Sequence, residues 1–98
     1  PQAPLGAVVE TNAYISGLGF EPIISSTKLP DAVYAMVDRV IKLQEITVKA
    51  ALNYDLDLAF QAFILDPLNR LDLAQSRELF DKMIKRTSKY LPKEYFGN

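Results

Sequence analysis

The sequence predicts an α+β fold that is mostly helical, with a β-hairpin or sheet-edge strands followed by three helices. Three observations predict it. Runs of β-branched and aromatic residues stand before residue 25 and are separated by glycines. After Pro30, apolar residues recur at helical spacing almost without a break. Asp55 and Asp72 each precede a further apolar segment, as helix-capping residues do. The length of 98 residues fits one domain, residues 1–98.

Two strands are expected within residues 5–24. The first is the β-rich run 7–11, and the second is residues 20–24, with two turn-forming glycines between them. Pro22 has no N–H to donate, so the second strand must lie at an edge or at a bulge. A two-stranded hairpin is marginal by itself. It therefore needs a sheet to join or a helix to lie on.

The first helix is expected at about residues 30–53, with Pro30 at a favoured first position and Asp31 near the positive end of the helix dipole. The stretch from Asp31 to Leu52 would be about 33 Å long, whereas a compact chain of this length has a radius of gyration of about 13 Å. The apolar surface of this helix is wider than a single stripe. These two features favour packing on further polypeptide or on another subunit, with an ordinary small helical domain as the alternative.

The second and third helices are expected at about residues 55–66 and 72–91. The second is apolar nearly all round, which is typical of a buried helix. The third begins with Asp72 and Gln75, a spacing like that of a capping box. Pro92 should stop it, because proline cannot continue a helix.

The composition excludes several kinds of site. The chain has no Cys and no His, which removes disulfides, thiol nucleophiles and Ser–His pairs and disfavours zinc. A net charge of −1 argues against a nucleic-acid partner. No apolar stretch is long enough to span a membrane, and no glycine-rich nucleotide motif is present. We expect no catalytic, cofactor-binding or metal-ligating residue in these 98 residues.

Three polar groups leave alternatives open. Asp55 and Asp57 either share a divalent cation or serve as the cap and first turn of a helix. The basic group of residues 82–89 either meets a phosphate or complements the negative end of the helix dipole. Glu10 and Asn12, on the first expected strand, either lie close to a sugar substrate or occupy the solvent side of the strand.

Several short segments follow one another in a particular order: residues 8–10, 20–23, 29–30, 43–52, 57–59, 61–68 and 90–92. Together they resemble the C-terminal end of the family 4 glycoside hydrolases. Many members of that family read Val-Glu-Val-Pro around the first strand, whereas Thr11 and Asn12 depart from this pattern.

The resemblance implies a parent enzyme that binds NAD on a Rossmann domain and a manganese-type ion through Cys and His. Such enzymes cleave glycosides by oxidation at C3 of the sugar, loss of the C2 proton, elimination, water addition and re-reduction. The implied fold is like that of the lactate and malate dehydrogenases, and this chain corresponds to the C-terminal part of the substrate domain.

In that family the dinucleotide motif, the metal ligands and the tyrosine base all lie upstream of this segment. The resemblance therefore assigns no catalytic residue here, and Glu10 and Asn12 remain candidates for substrate proximity only. The expected role is to complete the domain and to pack subunits of a cytoplasmic homo-oligomer, and the chain alone should be inactive. The alternative is a free-standing helical module that binds a partner helix without catalysis.

Overall fold

Residues 2–97, which the computed structural model describes, form a two-stranded sheet followed by three α-helices. The predicted α+β class is therefore confirmed. The chain divides into two compact units, one up to Ile41 and the other from Lys42 onward. The elements are β1 (Ala13–Ser16), β2 (Gly19–Pro22), α1 (Asp31–Asn53), α2 (Leu56–Leu65) and α3 (Leu73–Thr87), with 3₁₀ turns at Ser88–Tyr90 and Lys93–Phe96.

The first strand lies later in the chain than the sequence suggests. The run 7–11 was predicted as a strand, and this prediction is wrong, because β1 starts only at Ala13. β1 and β2 are antiparallel, with Ser16 opposite Gly19. In this register residues 7–11 would face residues 24–28, where the Ser25 hydroxyl accepts a hydrogen bond from the Thr27 N–H and forms a local turn. The β-rich run therefore has no strand to pair with.

The turn of the hairpin sets this register. Gly19 has a φ of +115°, a conformation that side chains rarely adopt. The hydroxyl of Ser16 accepts a hydrogen bond from the N–H of Leu18 at 3.2 Å, which closes the turn. A glycine at this position lets the chain reverse in two residues, so the pairing of all later residues follows from it.

The amino-terminal residues are tied to the start of α1. The side chain of Gln2 accepts a hydrogen bond from the Leu29 N–H at 2.6 Å and donates one to the Leu29 carbonyl at 3.3 Å. The hydroxyl of Tyr34 donates to the carbonyl of Gln2 at 3.1 Å. The side chain and the backbone carbonyl of Gln2 therefore both anchor the segment that precedes the hairpin.

The two acidic caps expected from the sequence are confirmed. The Asp55 carboxylate accepts a hydrogen bond from the Leu58 N–H at 2.9 Å at the start of α2. At the start of α3, Asp72 accepts from the Gln75 N–H at 2.8 Å, and the Gln75 side chain accepts from the Asp72 N–H at 3.4 Å. This reciprocal pair is a complete capping box.

The third helix is shorter than expected. It was predicted to run to residue 91, but its α-helical part ends at Thr87 and Ser88–Tyr90 forms a 3₁₀ turn. The hydroxyl of Ser88 donates to the carbonyl of Lys85 at 2.9 Å and so satisfies one free carbonyl of the last turn. Leu91, which precedes Pro92, is extended, because proline disfavours the α conformation in the residue before it.

An aromatic cluster joins α2 to α3. The ring of Phe80, which is buried, lies 5.3 Å from that of Phe60 and 5.6 Å from that of Phe63. The guanidinium of Arg77 lies 4.9 Å from the centre of the Phe60 ring, a cation–π contact. Arg77 also pairs with Asp57 at 3.7 Å, so a charged residue closes the cluster on its outer side.

The second helix is less buried than its composition suggests. The expectation of a helix buried all round is wrong for this chain, because Ala62 is its one buried residue. Ile64 is 39% exposed, and Leu58 and Phe63 are half-buried. One neighbouring helix covers one face, and the apolar residues on the other faces are left partly bare.

The connection between α2 and α3 depends on one amide side chain. The Asn69 side chain donates to the Phe63 carbonyl at 3.3 Å and to the Ser76 hydroxyl at 3.1 Å, and it accepts from the Leu71 N–H at 3.0 Å. Ser76 is 1% exposed. Because water cannot replace partners at a buried site, the loss of this amide leaves polar groups without hydrogen bonds.

We expect Asn69→Ala to lower the free energy of unfolding by about 1–3 kcal/mol, because it leaves these groups unsatisfied. Chemical unfolding followed by circular dichroism measures the change. Asn53→Ala is the matched control, because the Asn53 side chain donates to the Lys49 carbonyl at an exposed position. Equal losses in the two variants would contradict the role of Asn69.

Exposed ion pairs make helix stability depend on acid pH. The pKa of Glu45 is lowered from its ordinary value of 4.5 by a hydrogen bond from Lys49 and by the charge of Lys42. The pKa of Glu78 is lowered in the same way by Lys82. Because the folded state favours the ionised carboxylates, their contribution is complete above pH 4.5 and is lost as the pH falls through the lowered values.

We therefore expect the urea midpoint of the helical signal to fall as the pH is lowered below about 4.5. In the double variant Glu45→Gln, Glu78→Gln, part of this acid dependence should disappear. Glu21→Gln, which removes a carboxylate from the hairpin and leaves the ion pairs of Glu45 and Glu78 in place, is the control for the loss of a negative charge. An identical pH profile for the double variant and the parent sequence would contradict the assignment.

Candidate functional site

Glu10 and Asn12 lie at the entrance to the hairpin, and both are exposed. The carbonyl of Asn12 accepts a hydrogen bond from the Ile23 N–H at 2.8 Å. The hydroxyl of Thr11 donates to the Ile23 carbonyl, also at 2.8 Å. The segment is thus fixed through its backbone and through Thr11. Among the described residues, no hydrogen bond or ion pair engages the Glu10 carboxylate or the Asn12 side-chain amide, so both are available for a ligand.

The two faces of the hairpin differ in polarity. Side chains alternate along a strand, so the observed register places Asn12, Tyr14 and Glu21 on the more polar face, together with Ile23 opposite Asn12. The other face carries Ala13, Ile15, Phe20 and Pro22, which we call the hairpin apolar face. All eight residues of the two strands are exposed, with Ile15 at 87% and Phe20 at 75%. A bare apolar face of this kind is typical of a surface that meets another layer of protein.

A groove of about 310 Å³ lies between the second half of α1 and α2. Alanines supply much of its lining, and their short side chains keep it open. The Tyr95 ring lies at the groove and makes an edge-to-face contact with Tyr54, with ring centres 5.4 Å apart. The lining residues are Leu43, Thr47, Ala50, Ala51, Ala59, Ala62, Phe63, Asp66 and Tyr95.

Two polar side chains of this groove, Thr47 and Asp66, are engaged with nearby backbone groups. The Thr47 hydroxyl donates to the Leu43 carbonyl at 2.8 Å, and the Asp66 carboxylate accepts from the Leu68 N–H at 2.8 Å. What remains is a concave apolar surface. It suits an apolar side chain or the ridge of a helix, whereas a sugar would need free hydrogen-bonding groups.

Of the two alternatives for Asp55 and Asp57, the structure favours a role at the start of α2 over a shared cation. Asp55 caps α2, and Asp57 pairs with Arg77, so the two carboxylates serve different partners. Within residues 2–97, no group of three or more acidic side chains is close enough to hold a metal ion. The residues present therefore do not fit the Cys and His site that the family resemblance implies.

The basic group of residues 82–89 is distributed among local partners. Lys82 pairs with Glu78, and the ammonium of Lys89 lies 4.7 Å from the centre of the Tyr90 ring. Lys85 and Arg86 occupy the last turn of α3, where the helix dipole favours cations. This arrangement is that of a solvated helix end.

Sequence patterns did not indicate Arg77 or the hairpin apolar face. Arg77 of α3 lies against the Phe60 ring of α2, and no spacing within one helix predicts such a contact between two helices. The hairpin apolar face follows from the observed register, and it could not be derived from a first strand predicted at residues 7–11. Among the described residues, no helix is both long enough and apolar enough to cross a membrane.

Comparison with known protein families assigns the chain to one of them. Residues 1–69 match the family 4 glycosyl hydrolase C-terminal domain. The chain belongs to the family 4 glycosyl hydrolases. The resemblance inferred from the order of short segments is thereby confirmed.

The curated relatives of this family 4 chain are alpha-galacturonidases. This chain is 51% identical over 88 residues to the alpha-galacturonidase of Thermoanaerobacterium saccharolyticum, and the match covers 90% of this chain and 19% of the relative. It is 42% identical over 82 residues to that of Bacillus subtilis, covering 84% of this chain and 18% of the relative. With that of Lachnoclostridium phytofermentans it shares 36% identity over 95 residues, covering 94% of this chain and 20% of the relative. This chain spans about a fifth of the length of these relatives.

These matches extend beyond the family domain. A match to 90% of the chain cannot lie within residues 1–69 alone, so it includes part of the segment that contains α3. The sequence similarity to this relative therefore continues past residue 69, where the match to the family domain ends. No solved structure matches the chain.

Proposed function

We propose that this chain is the C-terminal part of the substrate domain of a longer family 4 glycosidase that acts on α-galacturonides. The identity of 51% with an alpha-galacturonidase is the observation that carries this proposal. The match to this relative continues past residue 69 into α3, which supports the same substrate class. The domain's likeness to the lactate and malate dehydrogenases, and a cytoplasmic location, are part of the proposal.

The role proposed for these residues is to complete the domain and to pack subunits. Two surfaces support it. The hairpin apolar face is bare, and the groove beside Tyr95 offers a concave, mostly apolar surface whose Thr47 and Asp66 side chains are already engaged. Burial of an exposed side chain such as Ile15 or Phe20 contributes about 1.5–3 kcal/mol, so both surfaces favour further protein. The alternative of a free-standing interaction module has no separate observation in its favour.

NAD and a manganese-type ion belong to the proposed parent enzyme and would be held by the rest of the polypeptide. The chain offers no Cys or His, and its acidic side chains at Asp55 and Asp57 are committed to a helix cap and an ion pair. Its own contribution to the reaction is therefore limited to binding and positioning. We place no proton transfer on any of its residues.

Glu10 and Asn12 are the residues proposed to lie near the sugar. A carboxylate accepts hydrogen bonds from sugar hydroxyls, whereas it repels the carboxylate of a galacturonide. An amide group can donate to that carboxylate. We therefore propose that Glu10 faces hydroxyl groups of the substrate and that Asn12 lies nearer its acid group.

The substrate class is tested with the full-length polypeptide, NAD and Mn²⁺ on p-nitrophenyl α-D-galacturonide. We expect kcat/KM to exceed that for the matching α-galactoside by at least about 100-fold, because a site built to bind a polar group discriminates strongly against an analogue that lacks it. The 98-residue chain by itself should give no turnover. Equal rates on the two substrates would contradict the substrate class, and turnover by the chain alone would contradict its supporting role.

The proximity of Glu10 is tested by Glu10→Gln in the same full-length protein. We expect KM for the galacturonide to rise roughly ten-fold, because an ionised hydrogen-bond acceptor becomes a weaker neutral one. Glu21→Gln is the matched control on the same hairpin, and it should change KM less than about two-fold. Unchanged KM and kcat in Glu10→Gln would remove Glu10 from the substrate site.

A further inference from the structure

The two outer edges of the hairpin differ in their capacity to accept another strand. In an antiparallel pair, opposite residues alternate between those that exchange backbone hydrogen bonds and those whose N–H and C=O groups point outward. The Ile23 N–H donates to the Asn12 carbonyl, so this pair is of the first kind. By alternation in the observed register, the pairs Ala13–Pro22 and Ile15–Phe20 are of the second kind.

The outer edge of β1 is therefore competent for pairing. Ala13 and Ile15 direct both an N–H and a carbonyl away from the hairpin, at the spacing of two residues that a further strand requires. The described backbone bonds of this region are those within the hairpin and the Ile23 to Asn12 bond, and neither uses these groups. Unpaired groups of this kind are a template for another strand.

The outer edge of β2 is blocked by contrast. Its outward positions are Phe20 and Pro22. Pro22 has no N–H, and proline is one of the devices by which proteins protect an edge from pairing. The beginning of β2 is the turn at Gly19, whose φ of +115° is not that of an extended strand. Only one edge of the hairpin is therefore suited to a long partner.

The occupant follows from the length of the relatives and the chemistry of the hairpin. Two isolated strands are marginal, and residues 2–97 contain no strand besides β1 and β2. The match is to a C-terminal domain, and the relatives are about five times longer than this chain. The preceding part of the same polypeptide can therefore supply a strand that pairs with β1. Because such a partner is intramolecular, its effective concentration is higher than that of a second copy.

We propose that β1 pairs along its outer edge with a strand from the amino-terminal part of the same polypeptide and so becomes an inner strand of a larger sheet. This inference rests on the proposed function in one respect, that the chain is part of a longer enzyme. The incoming strand should carry apolar residues on the side that continues the hairpin apolar face. Its other side should be polar, like the face that carries Asn12 and Tyr14.

Hydrogen exchange in the full-length protein tests the pairing, residue by residue. The amides of Tyr14 and Glu21 lie inside the hairpin and report its own opening. If β1 is an inner strand, the amides of Ala13 and Ile15 should exchange at least about 100-fold more slowly than that of Phe20. Exchange of Ala13 and Ile15 as fast as Phe20, with Tyr14 protected, would overturn the proposal.

Two proline variants give a matched comparison. Ile15 and Phe20 face each other on the same side of the hairpin, and each has an outward N–H. Ile15→Pro should lower the thermal midpoint of the full-length protein by about 5 °C more than Phe20→Pro, because only the former removes a hydrogen bond to the added strand. Ile15→Ala and Phe20→Ala correct for the lost side chains. Equal effects of the two prolines after this correction would contradict the edge preference.

Dilution distinguishes the origin of the strand. Protection of Ala13 and Ile15 that persists when the protein is diluted to monomers supports a strand of the same polypeptide. Protection that disappears with dissociation assigns the strand to a second copy and overturns the proposed occupant. Glycosidase activity does not enter these measurements, so a failure of the proposed substrate class would leave the result on pairing intact.

Discussion

The main constraint on this structure is that the chain has more apolar surface than it buries. Along α1 only Ile41 and Ala50 are buried, whereas Met36 and Leu52 are 73% and 75% exposed. A helix of this length, with apolar residues on more than one side, requires neighbours on more than one side. The remaining elements of this chain do not supply them. The bare hairpin face and the open groove are consequences of the same deficit.

This deficit agrees with the position of the chain in its family. The residues belong to the C-terminal domain of the family 4 glycosyl hydrolases, and the curated relatives are about five times longer. The described polar side chains mostly hold local structure, as in the caps at Asp55 and Asp72 and the bonds of Asn69. These side chains therefore serve the fold of the segment itself, which agrees with the proposed role of completing a larger domain.

The helices were predictable because their signals are local. Asp55, Asp72 and Gln75 act on backbone groups within three residues, so their spacing alone identifies a helix start. The first strand was misplaced because pairing is not local. Its register depends on Gly19, and the run 7–11 loses its partner to a turn at Ser25 and Thr27. Glu10 and Asn12 could be named as candidates, but no pattern shows what lies opposite them.

The fold class, the starts of the helices and the family could be predicted from the sequence, because capping residues, apolar periodicity and the order of short segments are local features. The tertiary structure decided which surfaces remain bare. It placed Ile15 and Phe20 on one exposed face, put Arg77 of α3 against the Phe60 ring of α2, and left the outer edge of β1 open. These features depend on how one element lies against another, and a pattern within a single element does not predict that.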